Sequence, residues 1–271
     1  MKNIFFLILV YLLNTEFLLA KDYISKNPNH LKRGLIGKVY IKKYKNKNIY
    51  KIINDPTGTS PIEKIEKIEI KTGDCSNAKY SSTKNTTDCN TLRQRFEIRE
   101  NHKSISKKKV KRNPIERWYG YYMYLPDNFP INDKPLRPVI NQFQHWDIGH
   151  VNTHLPTIYL RIVLGDLYMK NKLIIENKDL VGKWNKIEYQ IKWSIRNDGF
   201  LKIYHNNQLK YSRENFVTLK GDYLYFKYGI YNWRDFGISY PYKYEFPDQT
   251  IYFAGVSASK KREDLKVNKI K

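Results

Sequence analysis

Some nine stretches between residues 93 and 258 alternate apolar and polar side chains with the period of two that belongs to a β-strand, and no long segment carries the stripe of an amphipathic helix. They lie at 93–100, 116–126, 137–146, 157–165, 167–177, 184–195, 199–212, 223–233 and 249–258, with turn signals between them and no internal repeat. This pattern predicts an all-β chain, an antiparallel sandwich or jelly roll. A length of 271 residues with 23 tyrosines suffices for one large core, so a single domain is expected over 21–260. Upstream, residues 38–53 read as a lysine-rich hairpin turning near 45–48. The stretch "IEKIEKIEIK" (62–71) admits either a short helix or a strand. The last residues, 261–271, read as charged without an apolar face and are expected to form a mobile tail.

Residues 1–20 read as a signal peptide: Lys2 opens a basic start, Ile4 to Leu13 is apolar, and Ala20 precedes Lys21–Asp22. The apolar run is too short to span a bilayer, and Asn14, Thr15 and Glu16 interrupt it, so stable membrane insertion is not expected. A secreted or periplasmic location follows. In that setting Cys75 and Cys89, within a polar stretch, are expected to close a loop as a disulfide. The net charge of +23 would survive removal of the signal, which takes away one lysine, Lys2, and one glutamate, Glu16. Such a field draws polyanions. Compositional bias toward Lys, Asn, Ile and Tyr explains the charge equally well, and export weighs against nucleic acid as the partner.

Three strands carry the residues of chemical interest. In "RQRFEIRE", alternation places Arg95, Glu97 and Arg99 on one side, opposite Phe96 and Ile98. The plain reading is a salt-bridge ladder. The functional one is a cationic site for carboxylate or sulfate, with Glu97 orienting the guanidinium groups. In "NQFQHW", Gln142 and Gln144 face one way and Phe143 and His145 the other unless a bulge intervenes. In "YFKYGIY", Lys227, Gly229 and Tyr231 share a side, and a glycine within a strand marks close approach by a ligand or another backbone. Trp118 and Tyr122 of "WYGYYMY" are aromatics suited to stacking on sugar rings.

The motifs "RFEIR", "QFQH" and "YFKYGIY", in this order, resemble those of the jelly-roll polysaccharide lyases: the heparin lyase I and glucuronan lyase group, and more distantly the alginate lyases of the same fold. The similarity covers roughly residues 70–258. It implies a concanavalin A-like jelly roll and cleavage of a uronic-acid-containing polysaccharide by β-elimination. Arg95 and Gln142 match the residues that neutralise the uronate carboxylate, Tyr231 the catalytic tyrosine and Lys227 the lysine beside it. Related enzymes place histidine two residues after the glutamine, where this chain has Gln144 and then His145. The base is therefore open among His145, brought in by a bulge, His150, His154 and Tyr231 itself. Arg99, Glu97, Gln144, Trp118 and Tyr122 are the expected substrate contacts. No metal ligand set or cofactor is required, calcium binding stays open because it is not readable from sequence, and a monomer acting on an anionic polysaccharide is expected. A non-catalytic jelly roll binding acidic glycans is the alternative from another class.

Overall fold

Period-two alternation becomes extended backbone wherever one side of a stretch can be buried. The computed structural model describes residues 38–39, 48–76, 87–91, 93–100, 105–131, 136–147, 158–232 and 246–269. Within them the strands run, in chain order, β1 (Lys38–Val39), β2 (Tyr50–Asn54), β3 (Lys64–Ile70), β4 (Gln94–Arg99), β5 (Ile105–Ser106), β6 (Ile115–Tyr124), β7 (Val139–Trp146), β8 (Ile158–Val163), β9 (Asp166–Met169), β10 (Lys172–Ile175), β11 (Trp184–Trp193), β12 (Gly199–His205), β13 (Gln208–Phe216), β14 (Tyr223–Asn232) and β15 (Gln249–Ser259). Only short helices interrupt them, such as Lys107–Arg112, capped by the Ser106 hydroxyl.

The strands form two antiparallel sheets. One has the order β1-β4-β14-β7-β8-β9-β10, with β5 also paired to β14; the other has the order β13-β12-β11-β6-β15-β3-β2. Consecutive hairpin strands alternate with neighbours distant in sequence, such as β4 beside β14 and β6 beside β15, as in the jelly-roll sandwich that alternation predicts. Between the sheets, Tyr119 of β6 packs edge-on against Phe143 of β7, with ring centroids 4.9 Å apart. Several polar groups within this core are paired across it: Tyr121 and Tyr189 both donate to Asn141 Oδ1 at 2.8 Å, and Tyr50 and Tyr228 both donate to Glu66 Oε2.

Two expectations change and one open alternative is resolved. The hairpin over 38–53 does not form, because β1 pairs with β4 in one sheet while β2 pairs with β3 in the other. Within 62–71 the backbone takes the strand alternative, over Lys64–Ile70, with Ile68 and Ile70 buried and Glu66 held by the two tyrosines. The terminal segment is packed rather than free through its described part. Leu265 and Val267 are buried over Gly120, where a Cβ would come within 2.9 Å of each, and Arg262 Nη2 lies 2.6 Å from the buried Glu188 carboxylate. Two apolar side chains among many charges are enough to seat the segment once the buried Glu188 carboxylate offers Arg262 a counter-charge. The signal segment lies outside the described residues.

Candidate active site

The β4, β14 and β7 strands lie side by side, and their registers assemble one polar surface. Tyr231 stands opposite Arg95, Gly229 opposite Glu97 and Lys227 opposite Arg99 on one flank; on the other, Lys227 meets Gln142 and Tyr225 meets Gln144. Phe96, Ile98, Phe143, Phe226, Tyr228 and Ile230 occupy the opposite, core side. Arg95, Glu97, Arg99, Gln142, Gln144, Lys227 and Tyr231 are thus brought together as alternation predicts.

Within this surface the partners differ from expectation. The Arg95 guanidinium lies 5.1 Å over the Tyr231 ring, and its Nε donates to Asp88 at 2.9 Å. Burial disfavours the Arg95 charge, but Asp88 and Glu97 outweigh it and keep the group protonated. Glu97 accepts from Gln142 Nε2 at 2.5 Å and from Lys227 Nζ at 3.1 Å. Burial opposes its ionisation too, yet Lys227, Arg95 and Gln142 hold its carboxyl below the usual range. Glu97 therefore orients Gln142 and Lys227, and Asp88 orients Arg95. Lys227 sits on Glu97, so the cation over the Tyr231 ring is Arg95. Burial pushes the Tyr231 phenol above its ordinary value of 10.0, against the downward pull of Arg95 and Arg93.

Gly229 is explained by the backbone. Its φ is 141°, and a Cβ there would lie 2.2 Å from the Phe96 carbonyl oxygen. β4 and β7 flank β14, so the Glu97–Gln142 hydrogen bond must pass over β14, and it does so beside the residue that carries no side chain. The gap expected to admit a sugar is thus crossed by Glu97. A register shift between Tyr228 and Tyr231 marks a bulge against β7.

The disulfide joins Cys75 to Cys89. It fixes the loop that delivers Asp88, whose amide donates to the Ser76 carbonyl at 3.0 Å and whose side chain is fully buried under Arg95. Asp88, Tyr225 and Arg161 were not singled out in the sequence. Asp88 has only its place beside a cysteine as a signal, whereas alternation in "IYLRIV" would have found Arg161, which pairs with Val139 next to Tyr231. Tyr225 lies 5.4 Å beneath Arg99.

Other expected site residues lie elsewhere. His145 is wholly buried on the core side beneath Lys220 and Gly221, because β7 and β14 keep register from Gln142 to Trp146 and no bulge rotates it outward. Trp118 and Tyr122 belong to β6 in the other sheet, where Trp118 stacks 5.7 Å from Tyr204 and Tyr122 donates to the Val267 carbonyl. Alternation specifies a side of a strand but not the sheet it joins. His150 and His154 lie outside the described residues. Among the described residues no three His, Cys, Asp or Glu side chains gather into a set able to hold a metal ion.

No curated protein matches the chain by sequence. Among solved structures, the chain is similar to the endo-β-1,4-glucuronan lyase from the fungus Trichoderma reesei, with TM-score 0.56 and 17% identity over 89% of this chain and 95% of that one. It also aligns with the alginate lyase vAL-1 from Chlorella virus, with TM-score 0.48 and 13% identity over 87% and 98% of the two chains. The first of these likenesses supports the jelly-roll fold already evident in the sheets. A family model described as polysaccharide lyase matches residues 41–257, which takes in strands β2 to β14, most of β15 and every residue of the polar surface, and the chain belongs to that polysaccharide lyase family.

Proposed function

We propose that this polysaccharide lyase is exported and cleaves a uronic-acid-containing chain by β-elimination, with Tyr231 as general acid and Arg95 as the group that neutralises the uronate carboxylate. The observation that carries the reading is the Arg95–Tyr231 pair: a permanently charged guanidinium stacked on a phenol, cross-strand on one surface. The proton on the carbon next to a carboxylate becomes removable once that carboxylate is neutralised, because the developing enolate charge is then matched. A planar guanidinium is suited to that task. The base takes this proton, the C4–O bond breaks as the C4–C5 double bond forms, and the Tyr231 hydroxyl delivers its proton to the departing glycosidic oxygen. Its raised pKa keeps that proton available.

Lys227 and Arg99 lie on the same surface as cations for neighbouring carboxylates. Gln142, only 2% exposed, acts through Glu97 as a positioning residue. With His145 turned to the core, the base falls to a group outside the described residues, His150 or His154, or to Tyr231 as phenolate. The glucuronan lyase among the similar structures bears the name of a uronic acid polymer and favours this substrate class. The disulfide accords with an oxidising compartment.

The test is incubation of the purified protein with glucuronan, alginate and heparin, following the ultraviolet absorbance of unsaturated uronate ends. Absorbance growing with at least one of them is expected. Chain shortening without that absorbance would replace elimination by hydrolysis.

A further inference from the structure

Away from the polar surface, the edge of the sandwich holds a pocket of about 310 Å³ between the β8–β9 hairpin, β12–β13 and the segment 217–220. Its inner wall is apolar: Ile158 and Met169 are members of the core set, and Phe216 packs against that core. Because these residues face inward, the pocket opens at the sheet edges and not on the side that carries Tyr231. Its rim is cationic, formed by Lys170, Arg213 and Lys220, and no acidic residue lines it.

Three positive charges gathered without a counter-charge repel one another. Among the described residues none of the three forms an ion pair, whereas the buried acids Asp88, Glu97, Glu100 and Glu188 are each matched by a cation. The crowding is felt at Lys170, whose pKa is lowered by burial and then by Arg213 and Lys220. Lys170 also occupies a left-handed backbone conformation, φ 55°, at a turn position that glycine or asparagine would hold at lower cost. Arg213 lies 4.4 Å over the Phe216 ring, which leaves a flat aromatic and guanidinium surface at the rim.

We infer that this pocket is a second, non-catalytic binding site for an acidic saccharide segment, its carboxylates taken by Lys170, Arg213 and Lys220 and a pyranose face laid against Phe216 and Tyr211. The inference rests on the reading that the polysaccharide substrate is acidic. An acidic sugar has the chemistry the pocket lacks: anionic groups at its edge and a weakly polar ring face. A site at the sheet edge would retain a long chain while the polar surface works on another part of it, so affinity gained there grows with chain length.

The experiment is a titration of protein carrying labelled methionine methyls, on a Tyr231→Phe background so that the probe stays intact. Tetraglucuronate and an alginate tetramer are the probes, and a neutral cellotetraose is the control. Saturable movement of the Met169 methyl with an acidic tetramer and none with cellotetraose is expected. The Arg213→Gln, Lys220→Gln double variant, altered only at exposed positions, should need about tenfold more probe for the same movement. A Met169 signal that never moves, moves equally with cellotetraose, or is unaffected in the double variant overturns the inference. Elimination by the parent protein is measured separately. Its absence would sink the catalytic reading while leaving the Met169 result decisive for the pocket.

Discussion

Tyr231 and Arg95 form a unit in which each side chain sets the chemistry of the other. Tyr231→Phe removes one hydroxyl from a ring whose stacking under Arg95 is otherwise kept. Folding and glycan binding should persist while kcat falls by about 10²-fold or more, the scale for losing a general acid. Initial-rate kinetics beside a binding titration check this, and a phenylalanine variant with near-parent turnover removes Tyr231 from the mechanism. The pH profile separates the two roles open to the phenol. A raised pKa means the proton is held to higher pH, so an acid with this environment stays competent through the alkaline range and is lost only above its ordinary value of 10.0. If Tyr231 acts as acid beside a histidine base, kcat/KM rises through about pH 6.5 and then stays level to about pH 10. If Tyr231 removes the proton itself as phenolate, the rate keeps climbing across about pH 8–10, and the slope in that window decides.

At the level of elements, β14 and the disulfide loop decide whether the surface exists at all. A Cβ at Gly229 meets the Phe96 carbonyl at 2.2 Å, and a φ of 141° is open to glycine alone. Gly229→Ala should therefore cost on the order of 3 kcal/mol, measured by denaturant unfolding, and should also loosen Glu97 from Gln142. Breaking the Cys75–Cys89 bridge by paired serine substitution should cost about 3 kcal/mol, as for a loop of this length. Because the same loop holds Asp88 on Arg95, the paired variant should lose activity at temperatures where it remains folded; full activity there would detach the loop from the site. The strands of this surface were legible in the sequence because period-two alternation in 94–99, 139–146 and 223–232 has one buried reading, and it set His145 opposite Gln142 and Gln144. What was hidden is pairing over long sequence separation. Nothing local in 38–53 tells that its two halves join different sheets. Nothing in "WYGYYMY" tells that Trp118 and Tyr122 emerge on the sheet remote from Tyr231. Asp88 is found only once the fold carries it beneath Arg95.

For the molecule as a whole, 49 Lys and Arg stand against 26 Asp and Glu, and a few of those acids are turned inward. Glu97, Glu100, Asp88 and Glu188 are all buried, and each is engaged by a cation: Lys227, Arg117, Arg95 and Arg262 respectively. The packed 262–268 segment belongs to the same design, since it carries Arg262 onto Glu188 and seats Leu265 and Val267 behind it. Each such pair removes one charge of either sign, so the surplus of +23 is carried by other residues, and Arg213 and Lys220 at the edge pocket are exposed members of it. A surface of this kind attracts a polyanion over about a Debye length before any hydrogen bond forms, and binding releases the counter-ions held along the chain. Affinity for an acidic polysaccharide should then fall by about an order of magnitude or more between roughly 50 and 200 mM salt. Titration calorimetry of Tyr231→Phe with an intact polyuronate reads this directly, since no cleavage blurs the isotherm. An affinity that does not change with salt would mean that the charge reflects composition alone, and that the lyase holds its substrate by hydrogen bonds and ring stacking instead.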